Sequence, residues 1–172
     1  MIALVILGGV LLINSPPKQL PTKALTTNSI GVKAPNGSFR ETNGQIVKLS
    51  SFKGKRTLVW FVATWCSSCA VGTQAIAANM AKFKAAHIHV IELELYNDLG
   101  QTGQSISSFG SQYGGKTILN HNWTLGTASS AMTLTYDPKS YLDIYYLIGK
   151  SGKIKYINSS PAVTIPNILS NA

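Results

Sequence analysis

Cys66 and Cys69 are the only cysteines in the chain, and two residues separate them in Trp65-Cys66-Ser67-Ser68-Cys69. Ahead of them runs Thr57-Leu58-Val59-Trp60-Phe61-Val62-Ala63. Such a short, continuous run of β-branched and aromatic residues suits a strand buried on both faces. Behind them Ile76, Met80 and Phe83 recur at helical spacing among alanines, which predicts a helix from Cys66 to Ala85. A lone pair cannot supply the thiolates of an all-cysteine zinc site. It can close into a small disulfide ring and open again. Between a strand and a helix it reads as a redox-active dithiol.

The position supplies the chemistry. A sulfur at the start of a helix meets unpaired backbone N–H groups and the positive end of the dipole. Both favour thiolate, the nucleophilic form, at Cys66. Cys69 lies about one turn further on the same side, where it can attack a mixed disulfide formed by Cys66. Trp65 would shield one flank. A purely stabilising bridge is the weaker alternative, because so short a loop constrains the unfolded chain little.

At 172 residues the chain suits one domain. Charged residues make up 12%, about half the usual share. The net charge of +9 arises because acids are few: Glu41, Glu92, Glu94, Asp98, Asp137 and Asp143. The lysines are scattered and do not interleave with aromatics, which argues against a nucleic-acid platform. A soluble domain facing an acidic exterior or a membrane fits better.

Residues 1–14 read as a signal peptide or membrane anchor. The apolar run Ile2 to Ile13 carries no charge, and is shorter than the roughly 20 residues a full span needs. Residues 15–33, with Pro16, Pro17 and Pro21, read as a linker, and 34–172 as the folded domain. The expected location is extracytoplasmic, membrane-anchored or secreted.

A hairpin is expected from Ser38–Glu41 and Gln45–Leu49 around Thr42-Asn43-Gly44. His87–Tyr96 reads as a strand and Gln104–Tyr113 as a short helix. A strand near Thr117–Leu119 and a helical turn near Leu125–Met132 follow. A second hairpin pairs Ile144–Ile148 with Lys153–Asn158, and a closing helix begins at Pro161, limited by Pro166. The order predicts an α/β layer with a mixed sheet.

The stretch from Val47 to Cys69 resembles the thioredoxin superfamily, and within it the TlpA/ResA-like (redoxin) thiol–disulfide oxidoreductases. Leu49-Ser50-Ser51-Phe52-Lys53-Gly54-Lys55 matches the family's approach, and Ala63-Thr64-Trp65-Cys66-Ser67-Ser68-Cys69 matches its site. Leu147-Ile148-Gly149-Lys150-Ser151-Gly152-Lys153-Ile154 matches its late hairpin. The resemblance implies a thioredoxin fold: a mixed central sheet flanked by helices, with an N-terminal β-hairpin. It also implies no cofactor or metal, with Cys66 as attacking and Cys69 as resolving thiol. The partners would be protein thiols or disulfides and a redox partner. Separately from the resemblance, the chain is expected to be a monomer, and its charge pattern argues against a nucleic-acid partner.

The chain departs from the family at three places. The proline that faces the dithiol across the substrate groove is replaced by Leu142 or Asp143. The buried acid six residues before the first cysteine is replaced by Trp60, leaving Asp143, Glu92 or Glu94 as substitutes in proton relay. Ser67-Ser68 fills the dipeptide where proline is usual, and its hydroxyls can donate to the Cys66 thiolate.

Glu92 and Glu94 alternate onto one face of an apolar strand. The simpler expectation for them is an exposed face or a sheet edge. The other is an ionisable group near the dithiol. His87, His89 and His121 share no ligand pattern with the cysteines and read as ordinary sheet or surface residues. Trp123, Tyr141, Tyr145 and Tyr146 read as core and groove lining. The rival function is a thioredoxin-fold copper-binding carrier. It would need a histidine just before the penultimate strand, and residues 135–147 contain none.

Overall fold

The structure, a computed structural model, describes residues 29–172. The expected signal or anchor at 1–14 lies outside the described residues, as does most of the expected linker. The part of that linker that is described, 29–33, is bonded to the sheet. Gly31 N–H donates to Ile154 O at 2.8 Å, and Ile154 N–H donates to Val32 O at 2.9 Å.

Among the described residues, seven strands form one mixed sheet: β1 (Ser38–Glu41), β2 (Ile46–Lys48), β3 (Arg56–Val62), β4 (Ile88–Glu94), β5 (Trp123–Ala128), β6 (Ile144–Ile148) and β7 (Ile154–Ser159). Their order is β2-β1-β5-β4-β3-β6-β7. The three central strands, β3, β4 and β5, run parallel, and each flank is an antiparallel hairpin. The helices are α1 (Ser67–Ala78), α2 (Met80–Ala85), α3 (Ile106–Gly114), α4 (Ser130–Tyr136) and α5 (Pro161–Ser170). No helix of the described residues is long and apolar enough to cross a membrane.

Strand alternation divides β3 between two cores. Leu58, Trp60 and Val62 face a cluster that includes Ile76, Met80 and Phe83 of α1 and α2, Phe109 of α3 and Ile168 of α5. Val59 and Phe61 face the other side, with Met132 and Tyr136 of α4. There Phe61 stacks on Tyr136 at 5.4 Å between ring centroids. Covering both faces explains why β3 reads as unbroken apolar sequence.

Four expectations need correcting. The single helix from Cys66 to Ala85 breaks at Asn79 (φ −106°, ψ 10°). There the Asn79 side-chain amide donates to Ala75 O at 2.9 Å, offering the backbone a competing partner. Thr117–Leu119 is no strand: Gly115–Leu119 forms a 3₁₀ turn, and the strand is β5. The helical turn near Leu125–Met132 starts later, at Ser130, capped by the Ser129 hydroxyl. Gly126 hides β5 from a propensity reading. A Cβ there would lie 2.6 Å from Arg40 O of β1, so the close approach of that strand requires glycine. Glu92 and Glu94, favoured above for an exposed face or an edge, stand instead on the interior strand β4.

Candidate active site

β3 ends at Val62, and the chain turns through Ala63-Thr64-Trp65 to Cys66. Cys66 is the N-cap of α1 (φ −85°, ψ 120°), and its sulfur accepts from Cys69 N–H at 3.3 Å. The Ser68 hydroxyl lies 3.1 Å from the same sulfur. Ser67 opens the helix and is exposed. Both cysteines are free thiols. Cys66 is 5% exposed and Cys69 is fully enclosed, so a partner's sulfur meets Cys66 first. Burial pushes the Cys69 thiol far up, helped by its hydrogen bond with Cys66 and by the charge of Asp143.

The approach loop is fixed by a residue that the sequence reading passed over. Asp98 accepts from Thr64 N–H at 2.8 Å and from the Thr64 hydroxyl at 2.6 Å. Its backbone carbonyl accepts the Trp65 indole N–H at 2.8 Å. Asp98 sits in a left-handed turn, with φ of 52°, 49° and 58° at Asn97, Asp98 and Leu99. Asn and Asp tolerate that conformation, and Leu does so at a cost. Parallel neighbours such as β3 and β4 place their C-terminal loops side by side. That rule, applied to the Asn97-Asp98-Leu99-Gly100 turn after β4, is the sequence signal that could have found Asp98. Gly103 closes the cluster, since a Cβ there would lie 1.8 Å from Asp98 Oδ2.

Trp60, standing where the family carries a buried acid, is bonded to Asp143, which lies where the family carries proline. Trp60 is fully buried, and its indole N–H donates to Asp143 Oδ1 at 2.8 Å. Asp143 precedes β6 with φ 70° and is 2% exposed. Its other oxygen, Oδ2, is buried without a hydrogen-bond partner. Burial raises the Asp143 pKa above the usual carboxylate range, and the Trp60 indole and the Ser68 and Ser160 hydroxyls pull the other way. An acid thus lies within electrostatic reach of Cys69, but it comes from the residue before β6, the antiparallel neighbour of β3, and not from β3 itself. Leu142 beside it is half-buried and packs against the α1 core.

Glu92 is fully buried beneath α1. Its Oε2 accepts the Trp123 indole N–H at 3.0 Å, and its Oε1 lies 2.7 Å from the Thr73 hydroxyl. That hydroxyl also lies 3.1 Å from Cys69 O. The Thr73 hydroxyl donates to both oxygens in a three-centre bond, which ties Glu92 to the Cys69 carbonyl. Burial pushes the Glu92 pKa up to about 7, against the pull of Thr73 and Trp123. Glu94 is half-buried and accepts from the Thr127 hydroxyl at 3.1 Å. Burial raises its pKa too, and it makes no contact with the dithiol.

Of the predicted site residues, Thr64 to Cys69 form one turn into α1, Asp143 acts electrostatically on Cys69, Leu142 packs against the same core as the thiols, and Glu92 is joined to the Cys69 carbonyl through Thr73. All three tryptophans of the chain donate their indole N–H to a carboxylate residue of this region: Trp60 to Asp143, Trp65 to Asp98 and Trp123 to Glu92. Tyr145 and Tyr146 are core as expected, whereas Tyr141 is 55% exposed. His89 is half-buried, bonded to the Thr124 hydroxyl at 2.9 Å, and lies across the Phe52 ring. No group of three or more His, Cys, Asp or Glu among the described residues is placed to hold a metal ion.

Comparison with known proteins agrees with this geometry. The thiol-disulfide oxidoreductase ResA of Bacillus subtilis is 29% identical over 126 residues, which is 73% of this chain and 65% of that protein. ResA of Bacillus thuringiensis (strain Al Hakam) is 30% identical over 85 residues, 49% of this chain and 47% of that protein. The chain therefore spans from about half to just under two thirds of these relatives. In fold it is similar to a thioredoxin-like protein from Aeropyrum pernix (TM-score 0.61, 17% identity, covering 78% of this chain and 88% of that one). The Redoxin family model matches residues 29–170, from the first described residue to the end of α5. A thioredoxin-like α/β sheet with its paired cysteines at the start of α1 accounts for that match, and the chain belongs to the Redoxin family.

Proposed function

We propose that the domain is a thiol–disulfide oxidoreductase acting on protein thiols and disulfides through Cys66 and Cys69, outside the cytoplasm. The observation that carries this reading is the asymmetry of the pair. Cys66 caps a helix and receives the Cys69 N–H, with the Ser68 hydroxyl beside it, while Cys69 is enclosed and held protonated. The first sulfur is built to attack and the second to wait.

In the reductive direction the Cys66 thiolate attacks a substrate disulfide. A mixed disulfide forms and one substrate thiolate leaves. Cys69 then gives its proton to Asp143 and attacks the Cys66 sulfur. The Cys66–Cys69 disulfide closes and the second substrate thiolate departs, so two electrons pass to the substrate. The reverse sequence oxidises a substrate dithiol. The apolar run Ile2–Ile13 and the scarcity of acids support placement outside the cytoplasm.

Redox titration of the Cys66/Cys69 couple tests the reading. A reversible two-electron couple is expected. A midpoint near about −270 mV marks a reductant, and one near about −120 mV an oxidant. The absence of any such couple overturns the proposal.

A further inference from the structure

The dithiol sits at the C-terminal end of β3. At the opposite end, where β3 begins, the chain gathers its cations. Lys33, Lys53, Lys55, Arg56, Lys150, Lys153 and Lys155 come from the entry segment, the loop before β3 with the first residue of that strand, and the β6–β7 turn with the start of β7. Backbone bonds hold these three segments together. Gly54 N–H donates to Lys150 O at 3.2 Å, Ala34 N–H donates to Gly152 O at 2.9 Å, and Lys33 pairs with Lys153 in an isolated bridge. All of these lysines are exposed, and Arg56 is half-buried.

Three adjoining recesses share these cations, and no Asp or Glu side chain lines any of them. One is an apolar cavity of about 300 Å³ walled by Leu49, Phe52 and Ile148 and flanked by Lys33, Lys53 and Lys55. The acids lie elsewhere: Glu92, Asp98, Asp137 and Asp143 are buried, Glu94 is on the interior strand, and Glu41 is across the sheet on β1. Charge is therefore segregated along β3, whose seven residues span about 20 Å.

We propose that this basic end is a docking face for an anionic lipid surface, and that it orients the domain with the dithiol facing away from the membrane. Two observations choose lipid over other anions. The cations surround an apolar recess, a pairing of the kind that interfacial surfaces use. The described chain also enters at this same end, at residues 29–34, and the apolar run Ile2–Ile13 precedes it by only residues 14–28. The inference does not depend on the thiol chemistry.

Sedimentation of the full chain with vesicles tests it. One set is phosphatidylcholine alone, and the other contains phosphatidylcholine and phosphatidylglycerol at about 7:3. Binding to the anionic set is expected to be at least about tenfold tighter at low salt and to weaken as salt rises past the point where the Debye length falls below about 8 Å. The double variant Lys53→Glu/Lys150→Glu should lose that preference. The variant Arg40→Glu/Lys139→Glu carries the same change in charge away from the face and should keep it to within about twofold. Rates of disulfide exchange with a small soluble disulfide should be unchanged in both variants, which separates misfolding from loss of docking.

Equal binding to the two vesicle sets overturns the proposal. So does equal loss in the two variants, which would make the effect one of net charge alone. Single-stranded DNA held as tightly as the anionic vesicles would also overturn it, by assigning the face to polyanions at large.

Discussion

Asp143 offers Oδ1 to the Trp60 indole and keeps Oδ2 buried and unpartnered within electrostatic reach of Cys69. An acid with a raised pKa is a stronger base than a surface aspartate, and it faces a thiol that burial has made reluctant to ionise. Asp143→Asn should therefore slow the second thiol step about 10- to 100-fold while changing the first attack by Cys66 less than about threefold. Stopped-flow detection of an accumulating mixed disulfide measures both steps. Equal slowing of both would mean that the carboxyl only shapes the site. Glu92 leads to a pH prediction. Its folded pKa of about 7 lies above the 4.5 of the exposed group. The folded state therefore holds a proton that the unfolded chain has lost, so this contribution is full below pH 4.5 and disappears as pH rises through 7. Glu92→Gln mimics the protonated form, with its amide N–H donating to Thr73 and its carbonyl accepting from Trp123. It should raise stability at pH 8 by about 1–3 kcal/mol and leave it nearly unchanged at pH 4, in chemical denaturation at the two pH values.

At the scale of elements, α1 lies close against β3 because residue 72 is glycine. A Cβ there would lie 2.6 Å from the Trp60 ring and 3.3 Å from Pro161. Gly72→Ala should lower stability by about 1–3 kcal/mol through overpacking. It should also move the Trp60 indole off Asp143, which thermal melts and near-ultraviolet circular dichroism would show. Elements whose signals are local were legible in the sequence. β3 declared itself by composition, the helical stretch after the cysteines by the spacing of Ile76, Met80 and Phe83 (though not its division into α1 and α2 at Asn79), and the first hairpin by Asn43-Gly44. β5 did not, because Gly126 answers to Arg40, far away in sequence. Glu92 did not, because an ionisable side chain is read as solvent-facing until its partners are known. Those partners, Thr73 and Trp123, are contributed by α1 and β5. The thiol pair was read directly from its spacing, and Asp143 was named as a substitute acid. Its bond to Trp60, 83 positions away, is a property of the folded sheet alone.

Across the whole molecule, the mixed sheet sets two unlike ends apart. The parallel strands deliver their C-terminal loops, and with them Cys66 and Asp98, to one end. The cations collect at the other. Composition alone showed a basic protein and could not show this sorting, because lysines spread along the sequence converge only when β3, β6 and the entry segment are joined. The three indole bonds have a practical consequence. Every tryptophan of this chain lies one hydrogen bond from a residue of the thiol region, and none lies elsewhere. Its tryptophan emission, excited beyond the absorption of the seven tyrosines, is therefore a label-free optical probe of that region, in which the closing of a disulfide or the loss of a carboxyl proton is written.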